Sequence, residues 1–228
     1  MFYVMNHYTR DPSFVVDQIE AQGYRAEVHT DYSDYFRTRD EFRYRGVVEN
    51  YQSCLADSPH LEWRIIFHDD MIIPEGALDK MLYILQRAPK TGISFYNPNN
   101  NGYRAAVERG HHVLQSYGNY WLPAFAWPKD YVDDFLNWSF VFGQPYGKES
   151  EDSLVWTWSA EADKPMHSII PSLTQHDGYN RSTHGNPPKS GKNWRYAENY
   201  IPEFDPAGID WDTEFANPYK DKMIRKAW

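Results

Sequence analysis

A single cysteine, Cys54, occurs in 228 residues, which excludes an intramolecular disulfide framework and fits a reducing compartment. No stretch of about 18 or more apolar residues is present, so no transmembrane helix is expected. The opening MFYVMNHYTRDP has neither the basic region nor the long apolar segment of an export signal. A soluble, cytoplasmic protein without a membrane partner is the expectation. Bases are scarce as well: 23 Lys and Arg stand against 32 Asp and Glu, a formal net charge of −9. A field of that sign disfavours nonspecific binding to nucleic acid or anionic membrane. Internal repeats and low-complexity tracts are missing, and so is a glycine-rich basic phosphate loop, which counts against a nucleotidyltransferase.

What the chain has in quantity is aromatic side chains, 9 Trp, 18 Tyr and 12 Phe, which fill cores and also form flat apolar platforms with polar edges. The length suits one substantial α/β domain. Residues 2–6 (FYVMN) read as a strand, and Pro12 and Ser13 open an apolar-periodic helix, FVVDQIEAQGY, that Gly23 stops. RAEVHT follows as a second strand, ending in DYSD, and completes a βαβ unit. An arginine-rich stretch leads to the helix VVENYQSCLADS, then the strand WRIIF, the helix EGALDKMLYILQRA and the strand GISFYNP. Strands alternating with helices predict a largely parallel, Rossmann-like sheet. Beyond residue 98 the pattern predicts a turn cluster at NPNNNGY, a strand at WLPAFAW, helices at KDYVDDFLNWSFVF and SEDSLVWTWSAEAD, a strand at HSIIP, and an irregular tail.

Ligands of open α/β sheets collect beyond the carboxyl ends of the strands. Three candidate strand ends carry polar groups: His7 to Arg10, Asp31 to Asp34, and His68 to Asp70. Adjacent carboxylates there can hold a hard divalent cation that also binds substrate phosphates, or cap the turn before Pro74; both readings are open from this segment alone. Glu151 and Asp152 likewise fit ordinary first-turn helix chemistry behind a Ser150 cap, and His176 a polar loop histidine.

An apolar strand running into a short acid motif, then two or three apolar residues, Pro and a helix, resembles the metal-binding acid motif of GT-A glycosyltransferases, family 2-like enzymes above all. DYSD resembles that family's acid and serine cluster, whose first Asp, here Asp31, reads the nucleotide base. RGVVEN, with Arg45 and Asn50, resembles the segment before the acid-motif strand. ESEDSLVWTW looks like the Glu-Asp pair opening a helix near the acceptor, and IIPSLTQH like a closing strand whose terminal His reaches the metal. The match runs in order from residue 2 to about 180. His68 stands where the family motif has an Asp, and HYTR replaces its usual Pro and Asn turn.

The resemblance implies a GT-A domain over 1–185, with a nucleotide-binding half (1–98) and an acceptor half (99–185), and a lid or tail over 186–228. It implies a metal-dependent, inverting transferase of a nucleotide sugar, UDP-sugar first, with Mn²⁺ or Mg²⁺ on Asp70 and His176. The donor would meet His7, Tyr8, Thr9, Arg10, Asp31, Arg45, Asn50, His68 and Asp69. Asp152 would be the base, with Glu151 beside it, and Trp121 and Trp127 would meet the acceptor: a glycan, a protein or a hydroxylated base in DNA, as for small phage-type transferases. The loop from Asp177 to Arg195 would close over the diphosphate. The alternative is a non-catalytic nucleotide-sugar or carbohydrate-binding module of the same fold, which His68 favours.

Overall fold

Alternation along the first strand sets the layering. In β1 (Phe2–His7) every residue is buried; Phe2 and Val4 enter one core cluster and Tyr3 and Met5 another, because successive strand residues face opposite sides of a sheet. A strand buried on both faces must carry helices on both. The structure, a computed structural model, describes residues 1–34, 44–98, 101–118, 120–142, 150–177, 197 and 199–221. The chain runs on through α1 (Ser13–Glu20), β2 (Ala26–Asp31), α2 (Arg45–Ala56), β3 (Trp63–His68), β4 (Met71–Ile72), α3 (Ala77–Leu85), β5 (Ile93–Ser94) and α4 (Asn101–Glu108). Then come β6 (Val113–Ser116), β7 (Ala124–Pro128), α5 (Lys129–Phe142), α6 (Glu151–Glu161), β8 (Met166–Ile169), β9 (Gln175–His176), α7 (Trp211–Ala216) and β10 (Tyr219–Lys220).

The main sheet has the order β10-β6-β8-β5-β7-β3-β1-β2. Its β1–β2, β1–β3, β5–β8 and β6–β10 pairings are parallel, whereas β3–β7, β5–β7 and β6–β8 are antiparallel. This is a mixed α/β fold with a mostly parallel sheet flanked by helices. On one face Val15 and Ile19 of α1 and Leu78, Met81 and Ile84 of α3 pack on Phe2, Val4, Ile65 and Phe67. On the other, Tyr51, Cys54 and Leu55 of α2, Phe135 of α5 and Trp158 of α6 pack on Tyr3, Met5, Ile66 and Trp127.

Four expectations change. The turn cluster at 97–103 gives way to α4 from Asn101: Tyr103 and Ala106, one helical turn apart, bury against Leu114 and Ile170, and that packing overrides the poor propensities of Asn and Gly. The strand β6 carries no clear sequence signal. The stretch IIPSLTQH is two strands, β8 and β9, parted around Pro171, which has no N–H for a ladder. The tail is not irregular throughout: Trp211 of α7 is buried in the first cluster, and β10 extends the sheet beside β6.

Candidate functional site

The parallel register of β1, β2 and β3 brings their carboxyl ends to one edge. His7 pairs with Asp31 across β1 and β2, and the chain leaving β3 still bonds β1, with Asp69 N–H donating to Met5 O at 3.0 Å. Asp69 and Asp70 are therefore pinned where the sheet ends, both buried. The second acid meets a residue more than a hundred positions away. In the small sheet β4–β9, Met71 pairs with His176, which sets the imidazole beside Asp70, Nε2 to Oδ2 3.0 Å. Arg10, from the loop after β1, reaches both acids, 3.0 Å to Asp69 Oδ1 and 3.5 Å to Asp70 Oδ2.

Arg10 and His176 leave the two carboxylates half satisfied. Asp69 Oδ2 and Asp70 Oδ1 are buried without a hydrogen-bond partner, which costs about 1–3 kcal/mol or more for a charged group. Burial pushes Asp69 up to about 7, against the opposing Arg10 charge and with the Asp70 charge adding to the rise. Burial also acts to raise Asp70, but the hydrogen bond and charge of His176, with Arg10 and His68, hold it well below the usual carboxylate range. Each acid thus keeps one buried, unbonded oxygen of the kind a hard divalent cation takes, with the His176 imidazole against the other Asp70 oxygen. Asp69, Asp70 and His176 are not, among the described residues, a group whose ligand atoms all lie within 4.8 Å of one another, so as they stand Asp70 and His176 fit a metal in part.

Around this centre stand the other strand ends. His7 bridges Thr9 Oγ1 and Ser33 O, each at 2.7 Å, and ties the β1 and β2 loops together. Asp31 accepts from Ser33 N–H at 2.8 Å, and its carboxylate backs onto the first turn of α2, where a helix N-terminus favours an acid. The approach is so close that a Cβ on Gly46 would run into the Ser33 hydroxyl and lie 2.6 and 2.7 Å from the Asp31 oxygens. Tyr8 donates to Asp34 Oδ1 at 2.8 Å and stacks on Tyr32, ring centroids 6.5 Å apart. Tyr32 is 79% exposed, a flat face beside Asp31 that the sequence flags only as an aromatic next to the strand-end acid. Asn50 is engaged inside the fold: its Nδ2 donates to His29 O at 3.0 Å and Asn6 O at 3.4 Å. Arg45 pairs with Glu49 along α2 at 2.7 Å.

The helix α6 reaches the same edge. Ser150 caps it by accepting from Ser153 N–H. Glu151 is buried, its Oε1 3.9 Å from His68 Nε2, and Asp152 Oδ1 accepts from Leu122 N–H at 3.2 Å. That bond holds the segment bearing Trp121, whose ring stands edge-on to Trp156 at 5.9 Å. Trp127 corrects the expectation of an acceptor platform: it is fully buried among Phe125, Phe135 and Trp158 and donates to Tyr51 Oη at 2.6 Å. Strand alternation turns it into the core. The arginine-rich stretch before α2 and the loop from Asp177 to Arg195 lie mostly outside the described residues. No described helix is long and apolar enough to cross a membrane.

No family profile matches the chain, and no curated protein does. Among solved structures it is similar to A197 from STIV, with 10% identity over 76% of this chain and 83% of that one and a TM-score of 0.42. It is similar to a glycosyltransferase involved in glycosylation of the major capsid of PBCV-1, at 11% identity, 64% and 71% coverage and a TM-score of 0.35. A third is a mutant Drosophila β1,4-galactosyltransferase 7 in complex with manganese, UDP-Gal and xylobiose, at 12% identity, 75% and 65% coverage and a TM-score of 0.40. Likeness of this degree carries no activity over, so the chemistry rests on the residues of this chain.

Proposed function

We propose that the protein is a glycosyltransferase that moves a sugar from a nucleotide-sugar donor, a UDP-sugar first, to a hydroxyl of a glycan, a protein or a modified DNA base. The observation that carries this reading is the pair of orphaned carboxylate oxygens, Asp69 Oδ2 and Asp70 Oδ1, buried at the carboxyl ends of parallel strands, with His176 against the other Asp70 oxygen. Asp70 and His176 would hold Mn²⁺ or Mg²⁺, which when bound neutralises a diphosphate leaving group. Asp31 accepts hydrogen bonds from the base, and the Tyr8–Tyr32 face stacks on it. Arg10, His7 and Thr9 line the donor's phosphate side, while Asp69 and His68 face its sugar. Asp152, oriented by the Leu122 N–H, takes the proton of the acceptor hydroxyl, and Glu151 orients His68. Direct attack by that hydroxyl inverts the sugar carbon. Trp121 offers the acceptor an apolar edge.

A second reading has its own observation. Arg10 already bridges both acids, as expected of a binding module in which a guanidinium replaces the metal and no transfer takes place. Thermal unfolding with UDP and UDP-sugars, with and without Mn²⁺, together with donor hydrolysis, separates the two. A ligand at a hundred times its Kd stabilises by about 2.7 kcal/mol. Stabilisation that needs Mn²⁺, with donor hydrolysis, supports the transferase. Metal-independent stabilisation without hydrolysis supports the module. No response to any nucleoside diphosphate or nucleotide sugar sinks both.

A further inference from the structure

A second cluster of metal-ligating groups lies away from the strand-end acids. Glu27 and His29 are two residues apart on β2 and so share a face. Their register partners in β1, Tyr3 and Met5, belong to the cluster that packs on α2. Asp57, the residue that ends α2, returns to that face. One ligand atom from each of Glu27, His29 and Asp57 lies within 4.8 Å of the others. His29 Nε2 and Asp57 Oδ2 are 3.7 Å apart, too far for a hydrogen bond. Two ligands at about 2.0–2.2 Å from one tetrahedral ion stand roughly 3.4 Å apart, so a contraction of a few tenths of an ångström would seat one.

Two buried groups facing the cluster lack partners. His29 Nε2 has no hydrogen bond although the atom is buried, and the hydroxyl of Tyr3, a residue with no exposed surface, has Ser58 near it and no hydrogen bond within 3.5 Å. The Tyr3 ring stands edge-on to His29 at 5.6 Å, and after burial, the larger cause, the charges of Asp57 and Glu27 raise its pKa. Asp57 is held in advance. Its Oδ1 accepts from Ser58 N–H at 2.8 Å, and the buried Arg64 donates to the carbonyls of Asp57 and Ser58, both at 3.0 Å. Outer-shell bonds of this kind orient ligands. Arg64 spends those bonds on backbone oxygens, and among the described residues no lysine or arginine pairs with either carboxylate. Two carboxylates outweigh the one guanidinium nearby.

We propose that Glu27, His29 and Asp57 bind a divalent transition-metal ion, Zn²⁺ first, with water completing the shell, as a tie between the edge strand β2 and the end of α2. An imidazole with two carboxylates suits zinc or cobalt better than magnesium or calcium. Chelator-stripped full-length protein carrying Asp70→Asn, which silences the strand-end acids, is titrated with Zn²⁺ by calorimetry and with Co²⁺ by visible absorption. One saturable Zn²⁺ per chain and the strong d–d bands of four-coordinate Co²⁺ are expected, with at least about tenfold weaker binding in His29→Ala and in Glu27→Gln. Glu27 is exposed, so its variant stays informative should the histidine variant fold poorly. Absence of saturable Zn²⁺ binding to the Asp70→Asn protein, or affinity unchanged by Glu27→Gln, overturns the site. Neither outcome bears on the transferase reading, which Asp70 tests separately.

Discussion

Two groups of acids with a histidine lie against the same three parallel strands, and burial gives them opposite characters. Asp69 and Asp70 are buried and already face Arg10 and His176, so one carboxyl rises to about 7 while the other is held low. Glu27, His29 and Asp57 are exposed or half-buried, and no guanidinium or ammonium reaches their carboxylates among the described residues. Arg10 adds positive charge to the first group, which suits the ligand of the proposed reading, one that brings its own negative charge. The second carries two carboxylates with no basic partner among the described residues, the charge balance on which the proposed cation site rests. The same side-chain types thus do different work according to how much water and which counter-charges the fold leaves them.

The contrast is tested most severely at Asp70. Asp70→Asn is expected to weaken Mn²⁺-dependent nucleotide binding by more than the roughly 10- to 100-fold typical of losing an outer-shell partner, measured by calorimetry. It should also cost about 1.5–3 kcal/mol in urea unfolding, the worth of a hydrogen bond to a charged group. Zinc binding at Glu27 and His29 should persist. Equal loss at both places would mean a single coupled site.

At Asp152, exchange for Asn should lower transfer by roughly 10²- to 10⁴-fold, the contribution of a general base, with donor affinity intact. Wild-type turnover would move the base to Glu151 or elsewhere. A smaller effect is expected from Gly46→Ala, which pushes a methyl into the Ser33 hydroxyl and the Asp31 carboxylate behind it and should destabilise by about 1–3 kcal/mol. Nucleotide binding should weaken with it, and zinc binding should stay as it was. A variant with unchanged nucleotide affinity would remove Asp31 from the donor site.

The smallest effect is a slope. Between pH values of about 4 and 7 the folded protein keeps a proton on Asp69 that the unfolded chain has released. Its contribution to stability therefore declines as pH rises across that window. His167, which burial lowers to about 4, acts in the other direction: below about 6.5 the unfolded chain binds a proton that the folded state refuses, so stability rises with pH. Subtracting the urea-unfolding profile of Asp69→Asn from that of the wild type isolates the first term. A flat difference between about pH 4 and 7 would show that Asp69 is not held protonated.

Local pattern carried much of the first half of the chain, residues 1–98. The continuous apolar run of WRIIF, a strand buried on both faces, and the period-3.6 spacing in ALDKMLYIL are written in consecutive residues, and a proline or glycine marks several of the ends, so β1, α1, β2, α2, β3 and α3 are legible without coordinates. Asp69 and Asp70 were legible as acids at a strand end for the same reason. What the sequence by itself determined was which residues are apolar at helix or strand spacing and which charged groups sit just beyond them.

The rest was decided by pairing between distant segments, whose closing cost and partner choice have no local signature. Short β6, β9 and β10 gain their hydrogen bonds from strands far along the chain, so two or four residues of pattern could not announce them. Trp127 became core and Trp121 stayed half-buried because strand alternation and the α6 contact, not aromatic character, choose which face meets solvent. The meeting of Asp70 with His176 depends on β9 lying antiparallel to β4, and that of His29 with Asp57 on how α2 crosses β2. In both cases the chemistry comes from a distance between side chains, which only the packed tertiary structure defines.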